Sequence, residues 1–329
     1  MPAAGRRTIQ IVSHGPSCLD GVVAAATVAR FYEGHRVIPQ LAANGESDRR
    51  IQGLRARAGG EPEEIWITDL SWNSTETADH LRALAREGVA IYWIDHHRTA
   101  VSRANAPEFK VPFRAKVLSE RYCAARLTYN FLRRSAATLG GSAAGRKALK
   151  RFFPLVEIAD DNDRWLKRIP ESGEWALAVQ TLGGAESFRE IMKMEEPKMT
   201  PRLRAALAEG RKALARSLEL GRASMVERTL PNGLRLRAAC CFGYSSEVAA
   251  ELYQGQRQTV IALFDLRSQG VSLRRSADCK VDLSQTARLF GGGGHAAAAG
   301  FMIPDVSRYP AEKLAAILGE QLKTLPSPD

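Results

Sequence analysis

The sequence predicts a two-domain α/β protein, with a parallel-sheet domain first and a smaller α+β domain after it. Three observations carry this. Apolar runs of strand length alternate with helical stretches of about a dozen residues over the first hundred positions, the pattern of βαβ units. A polar stretch rich in Arg, Glu, Ala and Leu then interrupts the pattern, and strand-like runs return after position 230 with a different spacing. At 329 residues the chain also exceeds the roughly 250–300 residues that one hydrophobic core supports. The expected limits are 1–185 for the first domain, 186–228 for a helical connector and 229–329 for the second domain.

Taken in order, TIQIV (8–12) reads as a strand and GVVAAATVARFY (21–32) as a buried, alanine-rich helix. HRVIPQLA (35–42) is a second strand candidate, followed by a polar helix, SDRRIQGLRARA (47–58). EEIWIT (63–68) leads into Asp69, and TETADHLRALAREG (75–88) is a helix stopping at Gly88. VAIYWI (89–94) leads into Asp95. A helical region from about Cys123 to Leu166 carries the segment IADDNDRW, and Pro197 and Pro201 break the polar stretch that follows. In the second domain LRLRAACC, TVIALFDL and GVSLRRS read as strands, then a helix, then GGGGHAAAAGF (291–301).

Composition narrows the class. An apolar content of 45% with 25% charged residues is that of an ordinary globular protein. The N-terminal MPAAGRRTIQIV lacks the apolar run of a signal peptide, and no stretch approaches the roughly 18 apolar residues of a membrane span. Five cysteines without regular spacing argue against a disulfide framework, so a reduced, cytoplasmic protein is expected. The net charge is +11, and between Glu120 and Glu157 no acidic residue interrupts Arg121, Arg126, Arg133, Arg134, Arg146, Lys147, Lys150 and Arg151. That segment is either a solvated helix face or an electrostatic funnel for a polyanion.

His14, Asp69 and the Asp95-His96-His97 run each fall at the carboxyl end of a predicted strand, the edge along which open α/β sheets bind ligands. With Asp20 and the cluster Asp160, Asp161 and Asp163 they offer oxygen and nitrogen donors suited to Mn²⁺ and, less specifically, Mg²⁺, Fe²⁺ or Zn²⁺. So many carboxylates on one edge repel unless cations neutralise them. Two metals about 3.5–4 Å apart would do so and would acidify a shared water. Each motif alone has a plainer reading: an Asp after a strand is often a helix cap, and DHH could be a surface turn. The glycine run before His295 is either a flexible turn or a backbone nest for a phosphate.

WIDHH (93–97), ITD (67–69), the SHGPSCLDG loop (13–21) and FGGGGHAAAAGF (290–301) together resemble the DHH phosphoesterase superfamily, in the branch with a C-terminal DHHA1 domain. The resemblance spans nearly the whole chain. It implies an N-terminal DHH catalytic domain, a DHHA1 substrate-binding domain, and cleavage of phosphodiester or phosphoanhydride bonds with two metal ions, usually Mn²⁺. By position, His14 would hold the first metal and Asp69 would bridge both. Asp20 and His96 would hold the second, completed by Asp161 (first in a D-x-D-x-W segment) or by Asp160. Asp95 would orient His96, and His97 would face the substrate phosphate. Arg274, with Gly292, Gly293, Gly294 and His295, resembles the nucleotide-gripping elements of the second domain. The activity so implied is a nanoRNase-like oligoribonuclease acting on short single strands. The alternatives are a 3′-phosphoadenosine 5′-phosphate phosphatase, a cyclic-dinucleotide phosphodiesterase, or a nucleotide-binding regulator with a degenerate site. A homodimer is compatible with such a fold, and no sequence feature demands one.

The departure from the family pattern is Cys18, which stands where an aspartate is usual. It could ligate the first metal as a thiolate, stand beside it while water takes the position, or mark a lost first site. The other cysteines, Cys123, Cys240 and Cys241, read as packing residues, as do Trp66, Trp93 and Trp165.

Overall fold

The computed structural model describes residues 7–43, 45–56, 63–303 and 311–323; the last two positions of the expected 47–58 helix lie outside them. The chain divides into two compact units, 1–210 and 211–329.

The first unit runs β1 (Thr8–His14), α1 (Leu19–Phe31), β2 (Arg36–Ala42), α2 (Ser47–Gln52), β3 (Glu63–Thr68), α3 (Thr75–Arg86), β4 (Ala90–Asp95), α4 (Arg98–Ala104) and β5 (Ala115–Leu118). There follow α5 (Ala124–Arg134), α6 (Ala143–Asp163), α7 (Ser172–Leu182), α8 (Gly184–Lys193) and α9 (Pro201–Ser224). The five strands form one parallel sheet in the order β2-β1-β3-β4-β5. Of the central strands, β3 is buried along its whole length, and β1 and β4 nearly so. This is why they read as continuous apolar runs rather than as alternation. The edge strand β2 carries Pro39, which has no N–H to give to a ladder and is tolerated where one side is open.

One face of the sheet packs Val12, Ile65, Ile67, Ile91 and Trp93 against Leu81 and Trp72. On another set of contacts Trp66 stacks on Tyr92 at 4.2 Å. The alanine-rich α1 is buried at every position but Arg30, packed among α5, α6 and α8. A Cβ on Gly145 of α6 would fall 2.2 Å from the Phe31 carbonyl oxygen, so the glycine sets that close approach. The expected connector, 186–228, holds most of α8 and the whole of α9. α9 begins on Pro201, the helix position at which proline costs least.

The second unit contains β6 (Val226–Thr229), β7 (Arg235–Cys241), α10 (Ser245–Tyr253), β8 (Thr259–Asp265), β9 (Gly270–Arg275), α11 (Leu283–Leu289), β10 (Gly293–Gly294), β11 (Ala298–Met302) and α12 (Ala311–Leu322). Its six-stranded sheet has the order β10-β11-β9-β8-β7-β6, with β7 and β8 parallel and the other pairs antiparallel. Leu236, Val260, Phe264 and Leu273 pack against Leu314 and Leu318 of α12. Among the described residues no helix is long and apolar enough to cross a membrane.

Candidate metal centre

The carboxyl ends of β1, β3 and β4 bring His14, Asp69 and the Asp95–His97 run together. Asp69 is the hub. It takes a left-handed backbone, φ +57°, as the chain leaves β3, and its N–H still bonds the Ile94 carbonyl at 3.0 Å. A non-glycine residue in that region costs of order 1 kcal/mol, which the surrounding sheet must hold in place. Its Oδ2 lies 3.5 Å from His14 Nδ1 and 3.6 Å from Cys18 Sγ, while Oδ1 lies 3.3 Å from His96 Nε2 and 3.9 Å from His97 Nδ1. The residue is 2% exposed, and Oδ1 accepts no aligned hydrogen bond.

Two sets of donors flank this hub. His14, Cys18 and Asp69 form one, and Asp20, His96 and Asp163 the other; within each set the ligand atoms lie within 4.8 Å of one another. His96 Nε2 stands 3.6 Å from Asp20 Oδ2 and 3.7 Å from Asp163 Oδ2. Asp20 also caps α5 from α1, because Oδ2 accepts the Ala124 N–H at 2.8 Å and Oδ1 the Ala125 N–H at 2.7 Å.

Two expectations differ from what the structure shows. Asp161 does not reach the cluster: Oδ1 accepts the Arg168 N–H at 2.8 Å and Oδ2 the Ser172 hydroxyl at 2.7 Å, fixing the turn after α6. Its alternative, Asp160, accepts the Cys123 N–H at 2.8 Å and joins in capping α5. The aspartate brought to His96 and Asp20 is Asp163. Helical spacing allows this, since Asp163 follows Ala159 and Asp160 at i+4 and i+3, but burial gives no signal for it: Asp161 is buried and Asp163 is exposed.

Asp95 was expected to orient the His96 ring. It instead holds His97: Oδ1 accepts Nδ1–H of that ring at 2.7 Å, with the backbone N–H groups of His96 (2.7 Å) and His97 (3.1 Å). Asp95 Oδ2 is buried without a partner. The glycine run, left open between a flexible turn and a backbone nest, forms a hairpin with β11. Gly292 N–H is bonded to the Ala287 carbonyl and His295 N–H to the Ala298 carbonyl, and β10 pairs with β11. A Cβ on Gly292 would lie 2.1 Å from the Gly300 oxygen, and Gly294 has φ +136°, so glycine is required here by the hairpin itself. Gly293 faces Gly300 in the same ladder. Arg274 on β9 pairs with Ala298 and donates to the Ser272 and Ser246 hydroxyls at 2.8 and 3.0 Å, which holds the guanidinium in a fixed orientation.

The electrostatics are those of a site built around positive charge. Burial pushes the Asp20 carboxyl well up, with the Asp69 and Asp163 carboxylates adding to the shift. Burial also raises Asp163, partly offset by His96. Burial opposes ionisation of Asp69 too, but the His14 and His96 rings overcome it and hold this carboxyl well below the usual range. In the opposite sense, burial would lower His96, yet Asp69, Asp163 and Asp20 lift it to about 11; His97, facing Asp95, is lifted to about 9. Protons on imidazoles thus do what cations would do. Orphaned buried oxygens on Asp69 and Asp95, and a mixed acid and imidazole donor set, fit divalent metal ions. Cys123, expected to be a packing residue, is fully buried at the N-cap of α5, and burial followed by the Asp20 charge pushes its thiol up. Trp66 and Trp93 are core residues, whereas Trp165 is 41% exposed with Lys167 Nζ 4.4 Å over its ring.

Beside the cluster lies a cavity of about 180 Å³ whose lining includes His14, Asp69, Ser47, Ser71, Asn73 and His97. Arg103 holds its rim, donating to Ser71 Oγ at 2.9 Å and Asn73 Oδ1 at 3.0 Å.

Similarity to known proteins bears on both units, a parallel sheet with acid and imidazole donors at its strand ends and a second, mixed sheet. The sequence model of the DHHA1 domain matches residues 242–324. Solved structures share the fold over nearly the full chain at low identity. The DHH domain of a member of the s1p family of ribosomal proteins is similar at 17% identity and TM-score 0.63, covering 97% of this chain and 87% of that one. RecJ from Thermus thermophilus in complex with Mn²⁺ is similar at 15% identity and TM-score 0.58, covering 98% of this chain and 53% of that one. The pGpG-specific phosphodiesterase PggH from Vibrio is similar at 14% identity and TM-score 0.51, covering 97% and 99%. No curated protein matches the chain in sequence. Residues 242–324 thus match the DHHA1 domain, and the fold over nearly the whole chain is similar to DHH-domain and RecJ structures.

Proposed function

We propose that the protein is a metal-dependent phosphodiesterase that hydrolyses short single-stranded oligonucleotides to mononucleotides. The observation that carries this reading is the convergence of two donor sets on one buried carboxylate, Asp69, whose Oδ1 has no hydrogen-bond partner. His14 and Asp69 would hold one divalent ion, and Asp69, Asp20, His96 and Asp163 the other. Manganese is the expected metal, with Mg²⁺, Fe²⁺ or Zn²⁺ as the other candidates. Bound there, two cations supply an acidified water and neutralise charge developing on the phosphoryl oxygens. Asp95 Oδ1 lies 2.7 Å from His97 Nδ1 and raises the ring's pKa, which suits the ring to donate to a phosphate oxygen. Arg274, held by two serine hydroxyls, would grip a terminal phosphate bidentately.

Support for a hydrolase in general comes from the superfamily and from neighbours described as an exonuclease, RecJ, and a pGpG-specific phosphodiesterase. The cavity beside the cluster is smaller than the roughly 300–1,000 Å³ of drug-sized ligand sites, which suits a phosphoryl group with its sugar. The test is turnover of an end-labelled RNA dinucleotide with Mn²⁺, with 3′-phosphoadenosine 5′-phosphate alongside and His96→Ala as control. Dinucleotide cleavage lost in His96→Ala is the expected result. Cleavage of the nucleotide alone would overturn the oligonucleotide assignment. Silence on both, in each of the four metals, would overturn the oligonucleotide assignment and favour a cyclic substrate or a site that binds without cutting.

A further inference from the structure

We infer that Cys18 is itself a metal ligand, a thiolate that makes the first position an N,S,O site and turns it from Mn²⁺ towards Zn²⁺, Co²⁺ or Fe²⁺. This rests on the two-metal reading above and deepens it.

Position is the first argument. Cys18 is the N-cap of α1, with extended backbone at φ −98° and ψ 122°, where Asp, Ser or Asn would bond a free N–H of the first turn. Its side chain makes no such bond and turns instead to Asp69 Oδ2. Nor does it fill a core. Cys123, Cys241 and Cys279 are fully buried, whereas Cys18 is half-buried, like the neighbouring His14. The loop that presents it is pinned at both sides: Gly15 N–H bonds the Ala42 carbonyl at 3.0 Å, and Gly184 N–H bonds the Pro16 carbonyl at 2.6 Å.

Spacing is the second argument. Zinc–sulfur bonds of about 2.3 Å and zinc–nitrogen or –oxygen bonds of about 2.0–2.2 Å in a tetrahedron put neighbouring donor atoms roughly 3.4–3.6 Å apart. His14 Nδ1 and Cys18 Sγ stand 3.5 and 3.6 Å from the same oxygen, Asp69 Oδ2. The other oxygen of that carboxylate, Oδ1, is buried without an aligned hydrogen bond and faces His96, so Asp69 offers an oxygen to donors on both sides. Thiolate is a soft donor, and replacing a carboxylate by it favours zinc, cobalt or ferrous iron over manganese. On binding, the Sγ–H proton leaves to solvent and a sulfur–metal bond takes its place.

Titration of the metal-free full-length protein with Co²⁺, under a non-thiol reductant, tests this without any substrate. Wild type should take up two equivalents and develop a near-ultraviolet sulfur-to-cobalt charge-transfer band. Cys18→Ser and Cys18→Asp should lose the band, and Cys123→Ser should keep it. Ser and Asp are both favoured N-caps, so α1 is preserved in the two Cys18 variants, which far-ultraviolet dichroism verifies. Competition between Zn²⁺ and Mn²⁺ should shift towards Mn²⁺ by about tenfold or more in Cys18→Asp. Two equivalents bound without the band, or a band that survives Cys18→Ser, overturns thiolate ligation and leaves the two-metal reading standing. No cobalt bound at all overturns both.

Discussion

Replacing Asp20 by Ala should cost far more stability than replacing Asp163, although both carboxylates belong to the same donor set. Asp20 is fully buried and receives two N–H bonds from the first turn of α5, at 2.8 and 2.7 Å. Hydrogen bonds to a charged group contribute about 1.5–3 kcal/mol each, so the pair is worth roughly 3–6 kcal/mol. Ala124 and Ala125 are fully buried, so water cannot replace the lost acceptor. Part of that is returned, because burial and the Asp69 and Asp163 charges disfavour the Asp20 carboxylate. A net loss of about 2–4 kcal/mol remains. Asp163 is a quarter exposed and meets the cluster at 3.7 Å through His96, so Asp163→Ala should stay within about 1 kcal/mol of wild type. Urea unfolding in the presence of a chelator, followed by far-ultraviolet dichroism, gives both differences. Equal midpoints for the two variants, or an Asp20→Ala midpoint at the wild-type value, would refute the capping role.

Gly21→Ala should disturb the metal loop from behind, since the added Cβ would lie 1.9 Å from the His14 carbonyl oxygen and 3.0 Å from Asp69 Oδ2. Overpacking of this kind costs about 1–3 kcal/mol, so a lower thermal midpoint and weaker metal binding are expected, and an unchanged midpoint would contradict the geometry. Asp163→Ala should lose one bound metal equivalent by dialysis while Asp161→Ala keeps both. The reverse would restore Asp161 as the ligand. Burial and the neighbouring Glu64 raise Tyr92 to about 12 and Tyr32 further still, both above the ordinary tyrosine range. Raised folded-state values mean stability that is whole below about pH 10 and falls as pH climbs towards 12. In Tyr92→Phe the loss of urea midpoint between about pH 9 and about pH 11.5 should be shallower, and parallel curves would count against it.

The parallel sheet was legible because three central strands are buried on both faces and so write themselves as apolar runs, EEIWIT and VAIYWI among them. β5 escaped because its four residues are only half-buried and leave no run to see. α7 and α10 were likewise hidden, since short helices set by tertiary packing carry little local signal. The glycine run was visible but its meaning was not. A close carbonyl 2.1 Å from a virtual Cβ at Gly292 is a fact about β11, a separate strand further along the chain.

At the metal centre, strand ends were legible and the helix contribution was not, for a geometric reason. A residue one step beyond a strand is confined to the sheet edge, so His14, Asp69 and His96 could be placed together from their positions alone. A residue on a helix lies on a face that changes by about 100° per step, so neighbouring aspartates diverge, and burial does not sort them: Asp160 and Asp161 are both buried, whereas Asp163, which meets the cluster, is exposed. Asp160 and Asp20 then turn out to share three consecutive N–H groups of α5, at Cys123, Ala124 and Ala125. The partial positive charge of that helix start offsets some of the crowding of acids, as His96 and His97 do from the other side. Two oxygens are left without an aligned hydrogen bond, Asp69 Oδ1 and Asp95 Oδ2, both buried, the first of them 3.3 Å from His96 Nε2. The fold satisfies Asp160 and Asp20 with N–H donors and leaves Asp69 Oδ1 without an aligned one, and the acid and imidazole donors around Asp69 fit a divalent cation.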